Sequence, residues 1–152
     1  MIQPHLEAML RQWAEGLGTV HGASVKTHTR AIEKLWRTYS GRCELLLDLA
    51  RSAVIFESVK TLHECFKRIK SDPTVSVLQI KNRLDPHVDT SASGGYRNFA
   101  LNILISDKHT KKHQIDTHVC ELQLELSAMS HVKNDLDGHK RYVSPVFFCF
   151  LV

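Results

Sequence analysis

Ser52-Ala-Val-Ile-Phe-Glu-Ser-Val-Lys-Thr-Leu-His-Glu-Cys-Phe-Lys-Arg-Ile-Lys70 decides the fold of this chain. Ser52 to Phe56 is an uncharged run rich in β-branched residues, which reads as a strand buried on both faces. Ser58 offers its hydroxyl to the start of a helix. Over Val59 to Lys70, Leu62, Cys65, Phe66 and Ile69 recur at the spacing of one helix face. Asp72-Pro73 then stops the helix, because a residue before proline is pushed out of the helical region. A strand that feeds an amphipathic helix must bury that helix on a sheet. The pattern therefore predicts an α/β or α+β domain with a small mixed sheet flanked by helices.

Downstream, Val75 to Ile80 alternates as a strand and ends in Lys81-Asn82-Arg83. Asp85 to Gly95 is rich in Pro, Asp, Ser and Gly and reads as a loop. Tyr96 to Ile105 alternates again, with Phe99, Leu101, Ile103 and Ile105 on one face. A polar turn from Asp107 to Gln114 joins it to a strand over Thr117 to Leu126, making an antiparallel hairpin. A helix over Ser127 to Lys140 closes the domain.

Upstream, Leu6, Met9, Leu10, Trp13 and Leu17 predict a helix over 4–16, ended by Gly16 and Gly18. A second helix runs from after Ser24 to Tyr39, with Ala31, Ile32, Leu35 and Trp36 facing inward, until Gly41 breaks it. Leu45 to Leu49 is a short apolar turn. The expected order is ααβαβββα.

The length of 152 residues suits one domain with a sizeable core. Hydrophobic residues make up 43% of the chain and charged residues 24%, which excludes a disordered or low-complexity chain. No apolar run reaches the ~20 residues of a membrane helix, and no signal peptide is seen. The expectation is a soluble, cytoplasmic protein with no membrane partner. A net charge of +4 suits an anionic ligand but is too small to argue for DNA. Cys43, Cys65, Cys120 and Cys149 form no C-x-x-C pair, so they read as free thiols in a reducing compartment. His109 and His113 lie in a Lys-rich stretch that reads as surface loop.

Two patterns exceed what packing requires. Lys26, Arg30, Lys34 and Arg37 are spaced four, four and three apart, which puts four cations on one helix face. Such a stripe is either a solvated face or a polyphosphate contact. On the strand over Val119 to Glu125, the side chains of Glu121, Gln123 and Glu125 point the same way. Strand carboxylates of this kind serve Mg²⁺, which takes oxygen donors together with substrate phosphates. A solvent-facing strand alternates in the same way.

Four strings occur in order: Asp48-Leu-Ala-Arg51 with Val54-Ile-Phe56, Ile80-Lys-Asn-Arg83, Gly95-Tyr-Arg97, and Val119-Cys-Glu-Leu-Gln-Leu124. Together they resemble the RelA/SpoT-type nucleotidyltransferase domain, which makes the alarmone (p)ppGpp. The resemblance spans Lys26 to Tyr142. It divides the chain into an N-terminal helical extension over 1–25, the nucleotidyltransferase domain over 26–142 and an apolar tail over 143–152. It implies a transferase that moves pyrophosphate from ATP to the 3′-hydroxyl of GDP or GTP with Mg²⁺. Carried over by position, Lys26, Arg30 and Lys34 match the basic helix that holds ATP phosphates. Arg51 matches an arginine that stacks on adenine or holds phosphates, and Lys81, Arg83 and Arg97 add phosphate contacts. Tyr96 matches the tyrosine that stacks on guanine. Glu121 matches the glutamate that helps hold Mg²⁺ and activates the attacking hydroxyl, with Gln123 supporting it and Asp85 as a second metal carboxylate.

The chain departs from the synthetase pattern at three places. Asn82 stands where the family has an aspartate, Ala100 where it has a histidine, and Glu125 where it has an arginine. Loss of one metal carboxylate costs several kcal/mol of transition-state stabilisation, roughly a thousandfold in rate. Two alternatives to the active synthetase therefore stand: an inactive nucleotide-binding or protein-interaction module, and a transferase of the same fold with another acceptor. The uncharged run Val146 to Val152 reads as a buried last strand, a homo-oligomer contact or the stump of a longer chain.

Overall fold

The computed structural model describes residues 1–22, 25–91 and 95–135. The elements follow one another as α1 (Ile2–Trp13), β1 (Thr19–His21), α2 (His28–Tyr39), a 3₁₀ turn (Cys43–Leu45), β2 (Ala50–Phe56), α3 (Val59–Ser71), β3 (Val75–Asn82), β4 (Phe99–Ile105), α4 (Lys108–Lys112), β5 (Cys120–Leu126) and α5 (Ser127–Asp135). The strands form one five-stranded sheet in the order β1-β2-β5-β4-β3. β2 and β5 run parallel, while the other neighbouring pairs are antiparallel. This is a mixed α+β domain.

One face of the sheet carries the core. Val54 and Phe56 of β2, Leu101, Ile103 and Ile105 of β4, and Leu122 and Leu124 of β5 meet Leu6, Leu10 and Trp13 of α1 and Leu62, Cys65 and Ile69 of α3. The helix face read from sequence for α3 is the buried one, with Phe66 packed at its margin. Ser58 caps α3 by accepting from the Thr61 N–H at 3.2 Å. The indole N–H of Trp13 donates to Asp72 Oδ2 at 3.0 Å, and Arg68 donates to the carbonyls of Trp13 and Glu15, so α1 and α3 are clamped together.

Several expectations are corrected. Strand β2 is not buried on both faces: it alternates buried and half-buried residues, because only the α1/α3 side is covered. α2 forms as expected but turns no residue into the core; Ile32 is 41% and Trp36 67% exposed. With α1 and α3 filling the covered face, α2 packs chiefly on the Cys43–Leu45 turn. Lys26 is not part of a helical ladder, since α2 begins at His28. β1 was not expected; a three-residue strand is too short to show a period of two. Its approach depends on Gly18, where a Cβ would lie 2.7 Å from both the Ile55 carbonyl oxygen and the Phe56 ring. The polar turn after β4 contains the short helix α4, whose N-terminus is closed by a capping box between Asp107 and Thr110. β4 begins at Phe99 rather than Tyr96. The expected last helix is seen over Ser127–Asp135, and its remainder, like Cys149 and the tail from 143 onward, lies outside the described residues.

Candidate nucleotide site on the second sheet face

The register places polar residues in rows across the half-covered face. In the first row, Gln79 of β3 faces Asn102 of β4, Asn102 faces Glu121 of β5, and Glu121 faces Arg51 of β2. Strands lie about 4.8 Å apart, and residues paired across a ladder point to the same side. Arg51 and Glu121, some seventy residues apart in sequence, are thus immediate neighbours. Asn102 also donates to Gln79 Oε1 at 3.0 Å. In the second row, Lys81 faces Ala100, Ala100 faces Gln123, and Gln123 faces Ala53. The third row holds Glu125, opposite Ile55, with Asn98 and Arg83 beyond it.

Arg51 sits where β2 runs past the end of β1. Its backbone is completed by Gln3 of α1, which donates to the Arg51 carbonyl at 2.8 Å and accepts from its N–H at 3.2 Å. The Nε of Arg51 is buried without a hydrogen-bond partner.

Beside it lies an ion cluster that the sequence reading did not assemble. Asp48 Oδ2 accepts from the ammonium groups of both Lys26 and Lys34, the latter at 2.8 Å. Burial works against the charge on Asp48, but the two ammonium groups override it and hold the carboxyl below its usual range. Burial likewise opposes the charge on Lys34, and there Asp48 wins and the pKa rises. On Lys26 burial dominates and the pKa falls, helped by repulsion from Lys34 and Arg51. The Lys26 N–H donates to the Leu49 carbonyl at 3.2 Å, which sets the cluster at the start of β2, next to Arg51. The other carboxylate oxygen of Asp48, Oδ1, is buried and unpartnered. Asp48 stands in the quoted Asp48-Leu-Ala-Arg51 string, and its position at the mouth of a strand was the available signal. Of the other ladder cations, Arg30 and Arg37 are exposed on α2.

Tyr96 lies half-buried just before β4, and its hydroxyl donates to Glu125 Oε1 at 2.5 Å. Burial, then this bond, pushes the phenol well above its ordinary range; Glu121 adds to the shift, so the hydroxyl also senses the first row. Arg83 donates to Asn98 Oδ1 at 3.1 Å. Arg97 donates to the carbonyls of Arg83 and Asp85 at 3.0 and 2.7 Å, bracing the loop after β3. Asp85 Oδ1 is engaged with the His87 N–H on that loop. Asn82 lies apart from these rows: it faces Phe99, which packs edge-on against Phe66 of α3, so Asn82 belongs to the opposite side of the sheet. Its Oδ1 accepts from the Leu84 N–H.

Elsewhere the described thiols Cys43, Cys65 and Cys120 are free; burial raises Cys65 to about 11 and Cys120 to about 12, which makes them unreactive. No helix of the described residues is long and apolar enough to cross a membrane.

Five strands in this order, two helices on the covered face and charged rows on the other define a nucleotidyltransferase-like fold. Solved structures place it more closely: the chain has the fold of the small alarmone synthetases. Small alarmone synthetase 1 from Bacillus subtilis, solved with its product pppGpp, superposes with a TM-score of 0.74 at 19% identity, over 97% of this chain and 78% of that one. Small alarmone synthetase 2 from the same organism gives 0.66 at 20% identity, over 92% and 72%. A GTP pyrophosphokinase family protein from Streptococcus pneumoniae gives 0.62 at 18% identity, over 90% and 69%. No protein-family model and no curated protein matches the chain by sequence.

Proposed function

We propose that this domain binds ATP and a guanosine nucleotide and transfers pyrophosphate from the first to the 3′-hydroxyl of the second. The observation that carries the reading is the Arg51–Glu121 pair, flanked by one buried donor and one buried acceptor without partners, Arg51 Nε and Asp48 Oδ1. Buried polar atoms are rarely left unpaired, and an unpaired donor and an unpaired acceptor three residues apart in sequence suit a ligand carrying both anionic oxygens and a cation. Arg51, Lys26 and Lys34 supply charge for the ATP phosphates, and Lys81 and Arg30 extend it, while Arg83 and Arg97 at the Tyr96 end are engaged with Asn98 and with loop carbonyls. Tyr96 offers a stacking surface to the acceptor base, worth about 1–3 kcal/mol.

Mg²⁺ asks for one or two carboxylates, the rest of its shell coming from phosphate and water. Glu121 on the open face would supply one such carboxylate, with Asp48 Oδ1 unpartnered on the Arg51 side, whereas Asp85 follows β3 toward the opposite end of the sheet; among the described residues no three His, Cys, Asp or Glu side chains gather into one site. When bound, the ion neutralises charge on the transferring phosphates. Glu121 takes the proton of the acceptor 3′-hydroxyl as that oxygen attacks the β-phosphorus of ATP; the bond to the α-phosphate oxygen breaks and AMP leaves. Gln123 hydrogen-bonds along the same face. Positioning and charge stabilisation supply most of the acceleration in such transfers.

The test is incubation with labelled ATP, Mg²⁺ and GDP or GTP, followed by chromatography. A pyrophosphorylated product that disappears in Glu121→Gln supports the transfer. A second reading, nucleotide binding without turnover, is favoured by the buried carboxylate of Glu125 where the synthetase pattern has arginine; it requires measurable nucleotide affinity and no product. Consumption of ATP with GDP and GTP untouched would point to another acceptor.

A further inference from the structure

Glu125 is 2% exposed, one of the most deeply buried charged side chains among the described residues. Burying a carboxylate is costly unless it is hydrogen-bonded, so its place on this face calls for a role. Its Oε1 accepts the Tyr96 hydroxyl at 2.5 Å. Tyr96 in turn senses Asn98, itself buried, and Asn98 accepts from Arg83 at 3.1 Å. The ring of Tyr96 is therefore tethered at its far end to β5. A stacking residue tethered in this way loses little freedom when a base settles on it, because the ring is already ordered.

The same carboxylate has an electrostatic consequence. Glu125 stands four residues beyond Glu121 on one face, at the end of the sheet away from Arg51, Lys26 and Lys34. Low surrounding dielectric lets its charge reach across the width of a nucleotide. At the Tyr96 end Glu125 offsets the guanidinium of Arg83, whereas at the Arg51 end Arg51, Lys26 and Lys34 outnumber Asp48 and Glu121, so phosphates are drawn to the Arg51 end.

Resting on the reading above that this face takes purine nucleotides, we propose that Glu125 is a positioning residue that anchors Tyr96 as a fixed platform and orients the acceptor nucleotide, base over Tyr96 and phosphates turned away from Glu125. The ligand class this defines is a nucleoside phosphate recognised chiefly by its base at this end, with no phosphate subsite beside Tyr96.

The test is equilibrium binding of guanosine and of GTP, by calorimetry at low and high salt, to the wild-type chain, Tyr96→Phe and Glu125→Gln. Tyr96→Phe keeps the ring and removes the tether; both ligands should weaken, by about fivefold. Glu125→Gln keeps an acceptor for the hydroxyl and removes the charge; the affinity of GTP relative to guanosine should rise by about threefold or more at low salt, and that gain should shrink at high salt. A merely structural role would move both ligands together in Glu125→Gln and give no salt dependence, which overturns the proposal. Unchanged binding in Tyr96→Phe overturns the tether. Absence of binding of either ligand to the wild-type chain overturns the nucleotide reading itself, a result distinct from the other two.

Discussion

Arg51 and Glu121 are register partners on the parallel strands β2 and β5, so a basic and an acidic residue occupy neighbouring positions on one sheet face. Neither strand alone makes this pair. Their juxtaposition follows from a crossover that carries the chain through α3, β3, β4 and α4 before β5 returns alongside β2. The pair is the natural focus for mutation. If the proposed transfer operates, Arg51→Gln should lower turnover and ATP affinity together, by about 10²-fold in kcat/KM, because the proposal gives Arg51 a charge contact to phosphate. Glu121→Gln should lower kcat by roughly a thousandfold, as expected when a proton acceptor is lost together with a carboxylate. Steady-state kinetics with varied ATP separates the two patterns. A drop of equal size and kind in both variants would count against distinct roles.

The Lys26–Asp48–Lys34 cluster predicts a steep stability cost. The side chains of Lys26 and Asp48 are only 6% and 11% exposed, so Asp48→Asn leaves two ammonium groups without a counter-charge. Breaking a buried pair from one side costs about 3–5 kcal/mol, a large share of the 5–15 kcal/mol that holds a domain together. Urea denaturation at neutral pH measures it. The pH dependence has a definite sign: the folded-state pKa of Asp48 lies below its unfolded value, so its contribution is full above about pH 4 and is lost as pH falls through the folded value. Asp48→Asn should flatten that acid limb.

The two tryptophans test the packing directly. Trp13 is 5% exposed and bonded to Asp72, whereas Trp36 is largely solvent-exposed. Trp13→Ala should cost about 3–5 kcal/mol through a core cavity and a lost hydrogen bond. Trp36→Ala should cost under about 1 kcal/mol, in line with an exposed site. Thermal melts of both variants check this, and an equal loss would mean that α2 is buried after all.

Tyr96 predicts an alkaline limb. Its phenol pKa is raised above the unfolded value near 10, chiefly by burial and then by Glu125. The neutral phenol therefore contributes stability that is full below about pH 10 and falls as pH rises toward the folded value. Absorbance titration of the chain against Tyr96→Phe should show that this tyrosine ionises only with unfolding.

Much of the fold was legible because the decisive segments are long and periodic. The Ser58 cap and the Leu62, Cys65, Ile69 stripe of α3 need no distant partner to be recognised. The β4–β5 hairpin likewise announces itself through alternation on both sides of a polar turn. What escaped was decided by competition for space. α2 carries an apolar stripe as good as that of α3, yet Ile32 and Trp36 face outward because α1 and α3 already occupy the sheet. β1 was too short to show a pattern, and Lys26 fell outside the helix whose spacing it shared.

The chemistry divides in the same way. Local alternation was enough to put Glu121, Gln123 and Glu125 on one face of a strand, since side chains alternate wherever the backbone is extended. Only the tertiary structure could pair Arg51 with Glu121, gather Lys26 and Lys34 on Asp48, send Asn82 to the far side of the sheet and tether Tyr96 to Glu125. The physical reason is that periodicity constrains a residue against its own neighbours, whereas strand order, register and the bulge between Val77 and Gln79 set which distant residues meet.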